Sequence, residues 1–275
     1  MVRHVAERSY YRQPTDCFAM LLSRSTWRDV ESHLARSRGL VIPIGSTEQH
    51  GPTGLIGTDA FTAEAVARGM QKHPDILVGP TLSLGVAQFN LGFPGTVSLR
   101  ASTLMAVIED YVLSLARQGF SHFYFVNGHG ANIAAARAAF QDIYARWSLG
   151  ERAGPAPRCR LRSWWEYPAA DRLRRALYGE REGMHATPSE IALTMHLFPE
   201  WEHGTDAPAP APISAAFLRD HAGDNHWDAA SHRAAFPDGR VGSDSGLANA
   251  KDGAQLLEAA IGDAIDDYQA FLAEP

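Results

Sequence analysis

The sequence predicts an α/β protein in which a mainly parallel sheet is covered by helices on both faces. Short apolar runs typical of buried strands alternate along the chain with stretches of helical periodicity. Loops rich in glycine join them, which indicates crossover connections between parallel strands. Of the 275 residues, 45% are hydrophobic and 20% are charged, which suffices for a sizeable core. We therefore expect one domain over residues 1–275, with residues 1–25 as an N-terminal extension.

The first half of the chain contains two predicted units of strand, loop and helix. The run LVIPIG at 40–45 predicts a buried strand, and a helix is expected to begin just after Asp59. Residues 76–85 mix β-branched residues with Gly and Pro, which favours a strand and its exit loop. From Ser102 the apolar residues recur at helical spacing as far as Gly119, which suits a C-terminal cap.

The second half continues this alternation. The predicted elements are strands at 122–127 and 158–167 and helices at 133–147, 188–197 and 252–272. Residues 204–245 are rich in Pro, His and Asp but have no regular period. We expect them to form a long irregular segment.

Charge and composition exclude several classes of protein. The formal net charge is −6 and no basic block is present, so we expect no nucleic-acid partner. No stretch approaches the ~18 apolar residues of a membrane span, and the N-terminus has no apolar signal-like run, which favours a cytoplasmic protein without a membrane partner. Cys17 and Cys159 lack a CxxC pair, which argues against a disulfide framework and a thiolate zinc site.

Two motifs place metal-ligating side chains at predicted strand ends. In GSTEQHGPTGLIGTD, Glu48 and His50 are separated by one residue and can face one pocket. The glycines of this loop permit the tight turns that bring Asp59 beside them. The motif NGHGAN puts His129 at the carboxyl end of a strand, where open parallel sheets bind their ligands. These two strand ends can converge.

A third motif, GMHATPSEIALTM, holds His185 and Glu190. Taken singly, each of these His and Glu residues is more often a solvated or capping residue than a ligand. Together the motifs offer imidazoles and three carboxylates, those of Glu48, Asp59 and Glu190. Two divalent cations carry more positive charge than three carboxylates can neutralise, so the centre would stay cationic. Such a centre lowers the pKa of bound water toward ~7.

These motifs resemble those of the creatininase (creatinine amidohydrolase) family. The matching residues are Glu-Gln-His-Gly-Pro at 48–52, Asp59, Phe-Pro-Gly-Thr at 93–96, Asn-Gly-His-Gly at 127–130, and His185 with Glu190. The C-terminal stretch PDGRVGSDSGLANAKDG also looks like the closing segment of that family. The resemblance covers approximately residues 26–270.

The resemblance implies a doubly wound α/β fold, two divalent metal ions (Zn, Mn or Fe) and a ring-shaped homohexamer. By the same resemblance, Glu48 and His129 would hold one metal and His50 the other. Asp59 would bridge the two metals. The implied partner of the site is a small-molecule amide substrate.

The sequence departs from creatininase proper at three positions. Ala131 stands where a metal-binding Glu is usual, and we assign the vacant ligand to Glu190, as in other branches of the family. Arg181 replaces a loop tryptophan that lies over creatinine, and Thr53 replaces a histidine. The metal site is expected to survive these changes better than the creatinine pocket, which predicts a branch other than creatininase proper.

Our leading hypothesis is hydrolysis of an amide or cyclic amide C–N bond by a hydroxide that bridges the metals. His185 matches the proton-transferring histidine of the family, and Asn127 or a backbone N–H near Gly130 is expected to stabilise the oxyanion. His185, Asn127 and Glu190 are thus the predicted catalytic residues. The predicted substrate-binding residues are Trp164, Trp165, Phe93 and Arg181, with Trp165 matching a family tryptophan that packs on the substrate.

Several alternatives stay open at this point. Within the family they are deformylation of a formylaminopyrimidine nucleotide, trimming of a modified peptide and opening of a cyclic sugar ketone. Outside it, the metals could merely organise an oligomer without catalysis. A cysteine hydrolase using Cys159 or Cys17 is a further alternative, although neither lies beside a Gly-rich turn or an evident His partner.

Overall fold

Three parallel strands form the central sheet of the protein. The structure, a computed structural model, describes residues 20–201, 208–210 and 212–274. The strands are β1 (Gly39–Ile44), β2 (His122–Asn127) and β3 (Arg158–Ser163), hydrogen-bonded in that order. The register pairs Ile44 with Asn127 and Asn127 with Ser163. All three strands therefore end at one edge of the sheet.

Helices connect the strands and cover the sheet. Within the described residues they are α1 (Trp27–Leu34), α2 (Thr58–Gly69), α3 (Ala101–Ala116), α4 (Asn132–Ser148), α5 (Pro168–Tyr178), α6 (Pro188–Leu197), α7 (Ala215–Asp220), α8 (Ala229–Ala235) and α9 (Ala250–Leu272). None of these described helices combines the length and apolar character that crossing a membrane requires.

Successive strand residues point to opposite faces of the sheet, and each face has its own core. Val41 and Tyr124 pack with the apolar residues of α2 and α9 on one face. Ile42 and Phe125 pack with those of α3 and α4 on the other. The predicted α/β fold, a parallel sheet covered on both faces, is confirmed.

The topology creates a crevice at the carboxyl ends of β1 and β2. Residues 76–82 lie along the other side of β1, through parallel bridges from Val78 to Val41 and from Leu82 to Ile44. The chain thus leaves β1 toward one side, whereas β2 connects to β3 on the opposite side. Ligands of open α/β sheets bind where the connections diverge in this way. The loops after β1 and β2 meet at this point.

Some sequence predictions need correction. Residues 76–85 form isolated bridges rather than a regular strand, because Pro80 has no N–H to donate and Gly79 precedes it. The strand predicted at 158–167 ends at Ser163, which opens a capping box with Glu166. Helices α1 and α5 were not predicted at all, and their sequences are short and strongly charged.

The segment predicted to be irregular, 204–245, is helical in part. Its described residues include α7 and α8, whose first turns are capped by the side chains of Ser214 and Asp228. Each helix is shorter than two turns, which explains why no period is visible in the sequence. Of the predicted extension 1–25, residues 1–19 lie outside the described residues, and Leu21 joins the core of one sheet face.

Close packing of α9 on α6 predicts opposite effects for two glycines of α9. A Cβ on Gly253 would lie 1.9 Å from the carbonyl oxygen of Ala192, whereas a Cβ on Gly262 would meet nothing within 4 Å. We expect Gly253→Ala to lower the free energy of unfolding by roughly 1–3 kcal/mol through overpacking. The control Gly262→Ala should raise it by up to about 1 kcal/mol through helix propensity. Urea unfolding of the variants measures both, and equal stabilities would contradict the packing described.

Candidate metal centre

The loop after β1 brings Glu48, His50 and Asp59 together. The chain turns so tightly that a Cβ on Gly45 would lie 2.4 Å from the backbone nitrogen of Ala60. Asp59 therefore returns beside the strand end in the first turn of α2. His50 Nε2 lies 2.8 Å from Asp59 Oδ1, and all three side chains are buried. Glycine at position 45 is required for this geometry.

The loop after β2 adds His129 to the same group. His129 Nδ1 lies 3.1 Å from Asp59 Oδ2 and 3.4 Å from Glu48 Oε1. Its other ring nitrogen, Nε2, is 2.9 Å from the carbonyl oxygen of Val86, to which an Nε2–H can donate. In spite of burial, the charges of Glu48 and Asp59 raise the pKa of His129 well above its usual value, so without metal Nδ1 also carries a proton. The bond from Nε2 to Val86 nevertheless makes Nδ1 the nitrogen that faces the carboxylates and that a metal would bind.

Glu190 reaches the group from α6. It is the third residue of this helix and forms a capping box with Thr187, whose backbone N–H and hydroxyl donate to Glu190 Oε2 at 2.8 and 3.0 Å. The cap engages one oxygen and leaves the other to the cluster with His50 and Asp59. Glu190 is therefore both a capping residue and a candidate ligand.

The donor atoms form two clusters that share one carboxylate. Within each cluster the atoms lie within 4.8 Å of one another. The clusters are Glu48, Asp59 and His129, and His50, Asp59 and Glu190. A third cluster of the described residues joins Glu48 and His50 to His185. The first two clusters place together all five residues that the sequence predicts as metal ligands.

Buried polar atoms that have no partner outside the centre support a fit to metal ions. Glu48 Oε1, His50 Nε2 and Asp59 Oδ2 are buried, and among the described residues they contact only the ionisable side chains of the centre itself. Such atoms are costly unless something satisfies them. Imidazoles and carboxylates are suitable ligands for Zn, Mn and Fe. Divalent cations between the clustered atoms would satisfy all three.

Without metal, several buried carboxyl and imidazole groups of the centre have raised pKa values and hold protons. Burial raises the pKa of Glu48 to about 8 and that of Glu190 to about 7. Burial alone would lower the pKa of His50, but the charges of Asp59, Glu190 and Glu48 raise it to about 10. The pKa of Asp59 is held low by His50 and His129 in spite of burial. Metal ions must displace protons from these groups.

His185 lies beside the two clusters and is neutral. Its Nε2 is 2.8 Å from the backbone oxygen of Gln49, and its Nδ1 is 3.5 Å from Glu48 Oε1. The side-chain amide of Gln49 donates instead to Asn90 and to the carbonyl oxygen of Gly239. The side-chain amide of Asn90 also approaches Nε2, at 3.2 Å, so the contacts fit two tautomers; in the one that donates Nε2–H to the backbone oxygen of Gln49, the Nδ1 lone pair faces the clusters. Burial and the nearby charge of His50 hold the pKa of His185 well below its usual value.

The clusters border a cavity of about 490 Å³. Asp59, His129, His185 and Glu190 line one part of it, and Trp164 and Trp165 line another. Trp164 is fully buried in the core of one sheet face, whereas Trp165 is partly exposed, so substrate contact stays a prediction for Trp165 and is not supported for Trp164. The cavity is large enough for a small-molecule ligand.

The other two predicted substrate-binding residues lie away from this cavity. Phe93 is partly buried under the guanidinium of Arg233, which lies 4.4 Å from the ring centre. Arg181 is directed toward Asp244, at 4.0 Å, and its side chain is 62% exposed. Arg174 and Arg175 of α5 also line the cavity, and both of their guanidiniums pair with Asp171. Sequence reasoning missed them because α5 itself was not predicted.

Asn127 has a different place from the one predicted. Its amide nitrogen donates to the carbonyl oxygen of His129 at 2.8 Å and to Ser163 Oγ at 3.3 Å, and its amide oxygen accepts the N–H of His129. Both hydrogens of the amide are engaged, and Asn127 does not line the cavity. It orients His129 instead of offering a free donor to an oxyanion.

Asp224 is a residue of the site that sequence reasoning missed. It lines the cavity from the loop between α7 and α8. Its carboxylate faces the backbone amide of Gly130, which follows the candidate ligand His129. The sequence gives no signal for this contact, because the loop has no period and reaches the site only through tertiary packing.

Cys159 has no feature of a nucleophile. Burial raises the pKa of its thiol to about 12. The residue lies on β3 and does not line the cavity. A reactive cysteine needs a lowered pKa and access to substrate. The alternative of a hydrolase using Cys159 is not supported, and Cys17 lies outside the described residues.

The raised carboxyl pKa values predict that metal affinity depends on pH. Below pH 7 to 8 the metal-free protein carries protons on Glu190 and Glu48, and a metal must displace them. We expect the affinity for Mn²⁺ to rise between about pH 6 and pH 9, with release of protons on binding. Calorimetric titration in buffers of different ionisation enthalpy measures both. An affinity without pH dependence and without proton release would contradict the assignment of these carboxylates.

Comparison with curated proteins finds relatives that are named for different hydrolytic activities. A mycofactocin precursor peptide peptidase from Mycolicibacterium smegmatis is 38% identical over 124 residues, covering 43% of this chain and 49% of that protein. A creatinine amidohydrolase from Pseudomonas putida is 32% identical over 120 residues, covering 42% and 46%. The chain thus spans about half the length of these relatives.

Comparison with solved structures identifies the fold. A structure described as creatininase Mn superposes with a TM-score of 0.75 at 23% identity, covering 94% of this chain and 100% of the other. The family model for creatinine amidohydrolase matches residues 23–267. With its motifs at the ends of β1 and β2 and its departures at the creatinine pocket, the chain belongs to the creatininase (creatinine amidohydrolase) family, in a branch other than creatininase proper.

Proposed function

We propose that the protein is a metal-dependent hydrolase that cleaves an amide-type C–N bond of a small molecule. The observation that carries this proposal is the pair of ligand clusters that share Asp59 beside the cavity. A site that only organised a structure would enclose its metals, whereas these clusters border open space. The arrangement therefore suits catalysis better than a purely structural role.

Five residues would hold two divalent cations, Zn, Mn or Fe. Glu48 and His129 belong to one cation, His50 and Glu190 to the other, and Asp59 to both. When bound, such cations polarise a carbonyl oxygen and lower the pKa of water, so that hydrolysis can proceed near neutral pH. The shared Asp59, whose pKa is held low by His50 and His129, stays ionised for this role.

His185 would carry the proton of the reaction. In the tautomer that donates Nε2–H to Gln49, its neutral ring offers a lone pair on Nδ1, beside Glu48 and at the cavity wall. A base in this state accepts a proton from attacking water and passes it to the leaving nitrogen. Burial and the charge of His50 lower the pKa of His185, so the ring is unprotonated before the reaction begins. The Gln49 carbonyl fixes the ring orientation.

The walls of the cavity favour a substrate other than creatinine. Trp165 offers a flat apolar surface, and Arg174 and Arg175 lie nearby. Arg181, at the position of the creatinine-covering tryptophan, points away toward Asp244. The cavity therefore suits a planar amide that carries an additional polar or anionic group.

A second candidate function within the family is trimming of a peptide at its C-terminus. Two observations favour it: the similarity to the peptide peptidase, and the position of Arg174 and Arg175 at the cavity, where their guanidiniums would exchange Asp171 for a terminal carboxylate. Both functions use the same metal centre and the same proton carrier. Assembly into a homohexamer stays a prediction for either.

Activity assays with and without metal test the proposed function. The full chain, loaded with Mn²⁺ or Zn²⁺, is assayed for creatine formation from creatinine and for amine release from an N-formyl amine and from short peptides. We expect turnover of at least one amide, loss of turnover with a chelator, and recovery on adding the metal back. A protein that binds metal and assembles but hydrolyses none of these would support the non-catalytic, metal-organised oligomer instead.

Replacement of His185 tests the assigned proton transfer. We expect His185→Ala to lower kcat by about 10²- to 10⁴-fold, the usual contribution of a general acid or base. Metal content by elemental analysis should be unchanged. His196→Ala, which removes an exposed imidazole from α6, is the matched control and should keep full activity. Full turnover in His185→Ala would show that the role belongs to another group.

A further inference from the structure

Asp224 places a carboxylate next to the metal centre from a remote part of the chain. Its Oδ2 occupies the space in which a side chain on Gly130 would stand, because a Cβ there would lie 2.1 Å away. The amide of Gly130 faces this carboxylate and stabilises its charged form. Since Gly130 follows His129 directly, Asp224 supports the loop that carries a candidate ligand.

The backbone at Asp224 is strained to make this contact. Its φ is 54°, in the left-handed region that residues other than glycine seldom adopt. The N–H of His226 donates to the carbonyl oxygen of Asp224 at 2.9 Å and holds the turn. Strained residues of this kind concentrate at functional sites. The strain is a second, independent sign that the position of Asp224 matters.

Burial raises the pKa of Asp224 to about 6, and the positive charges that favour its ionised form are those of His129 and His50 in the centre itself. No Lys or Arg of the described residues pairs with it, and its ion-pair contact is with His226, at 3.8 Å. His226 is neutral, because burial and two neighbouring histidines lower its pKa to about 3. The metal centre lies beside Asp224. Two divalent cations would bring four positive charges there, and the carboxylates of Glu48, Asp59 and Glu190 would neutralise three of them. Asp224 would supply a fourth carboxylate.

The segment that carries Asp224 covers the cavity and contacts the centre at a second point. Leu218, Ala222 and Gly223 line the cavity with Asp224. The ring of Phe89 lies between the two regions: it is 6.4 Å from His129 on one side and 4.7 Å from His226 on the other. Residues 213–236 therefore form a cover over the cavity, which packs through Phe89 near the loop that carries His129.

We propose that Asp224 is a positioning residue of the metal centre and couples metal binding to closure of the cover formed by residues 213–236. Its carboxylate orients the His129 loop through Gly130 and balances the charge of the cations without being one of the clustered ligands. This inference rests on the proposed function, because it requires the centre to bind metal. Coupling of this kind is reciprocal. If the contact of Asp224 with the His129 loop strengthens metal binding, metal binding must stabilise that contact, and with it the closed cover, by the same free energy.

The test uses the full chain and Mn²⁺ as the probe. Dissociation constants for Mn²⁺ are measured by competition with a chelator for the wild type and for Asp224→Asn. Loss of a residue that supports ligands in this way weakens metal binding by roughly 10- to 100-fold, and we expect a loss in that range. Asp220→Asn removes an exposed carboxylate of α7 and should leave the dissociation constant unchanged. Asp224→Ala separates the effect of the charge from that of the contact with Gly130. If the charge dominates, Asp224→Asn and Asp224→Ala weaken Mn²⁺ binding equally. If the contact dominates, Asp224→Ala weakens it more.

Hydrogen exchange supplies a second readout, which does not depend on catalytic activity. Addition of Mn²⁺ to the wild type should slow amide exchange in residues 213–236, and this protection should disappear in Asp224→Asn and persist in Asp220→Asn. Unchanged affinity in Asp224→Asn, or a cover whose exchange in the wild type ignores Mn²⁺, would overturn the inference and leave the proposed function intact. A wild type that binds neither Mn²⁺ nor Zn²⁺ would overturn both.

Discussion

The structure depends on how the negative charges of three buried carboxylates are balanced. Glu48, Asp59 and Glu190 lie in an apolar fold, where an uncompensated charge is expensive, and two buried histidines face them. Without metal, the compensation is imperfect, since Glu48 and Glu190 take up protons and several polar atoms lack partners outside the centre. A pair of cations would resolve these costs together, which is why we regard the clusters as a metal centre and not as an ion-pair network.

The architecture explains why these groups meet. Parallel strands that end at one edge deliver the loops after β1 and β2 to the same crevice, and the N-terminus of α6 closes it with Glu190. Each contributing element is short and buried, so the donor atoms are held by packing and by backbone hydrogen bonds such as that from His129 to Val86. Preorganisation of this kind is what a catalytic metal site requires.

Much of this arrangement is predictable from the sequence, because the ligands lie within local motifs at strand ends. Apolar runs locate β1 and β2, and the family resemblance supplies the pairing of Glu48 with His129 and of His50 with Glu190. The remainder depends on tertiary contacts that no local pattern encodes. Arg181 and Phe93 contact surface partners, Asp244 and Arg233. The side-chain amide of Asn127 is hydrogen-bonded to His129. Asp224 lines the cavity from a segment of short helices. Residues 76–85 have strand composition, yet Pro80 interrupts their ladder.

The most direct test of the account is anomalous diffraction from crystals of the full chain grown with Mn²⁺. We predict two peaks, one among Glu48, Asp59 and His129 and one among His50, Asp59 and Glu190, with Asp59 contacting both. Contradiction would come from crystals in which these side chains point apart with no anomalous density between them. A lone peak held by Glu48, His50 and His185 would also contradict the account, because His185 would then be a ligand and could not carry the proton.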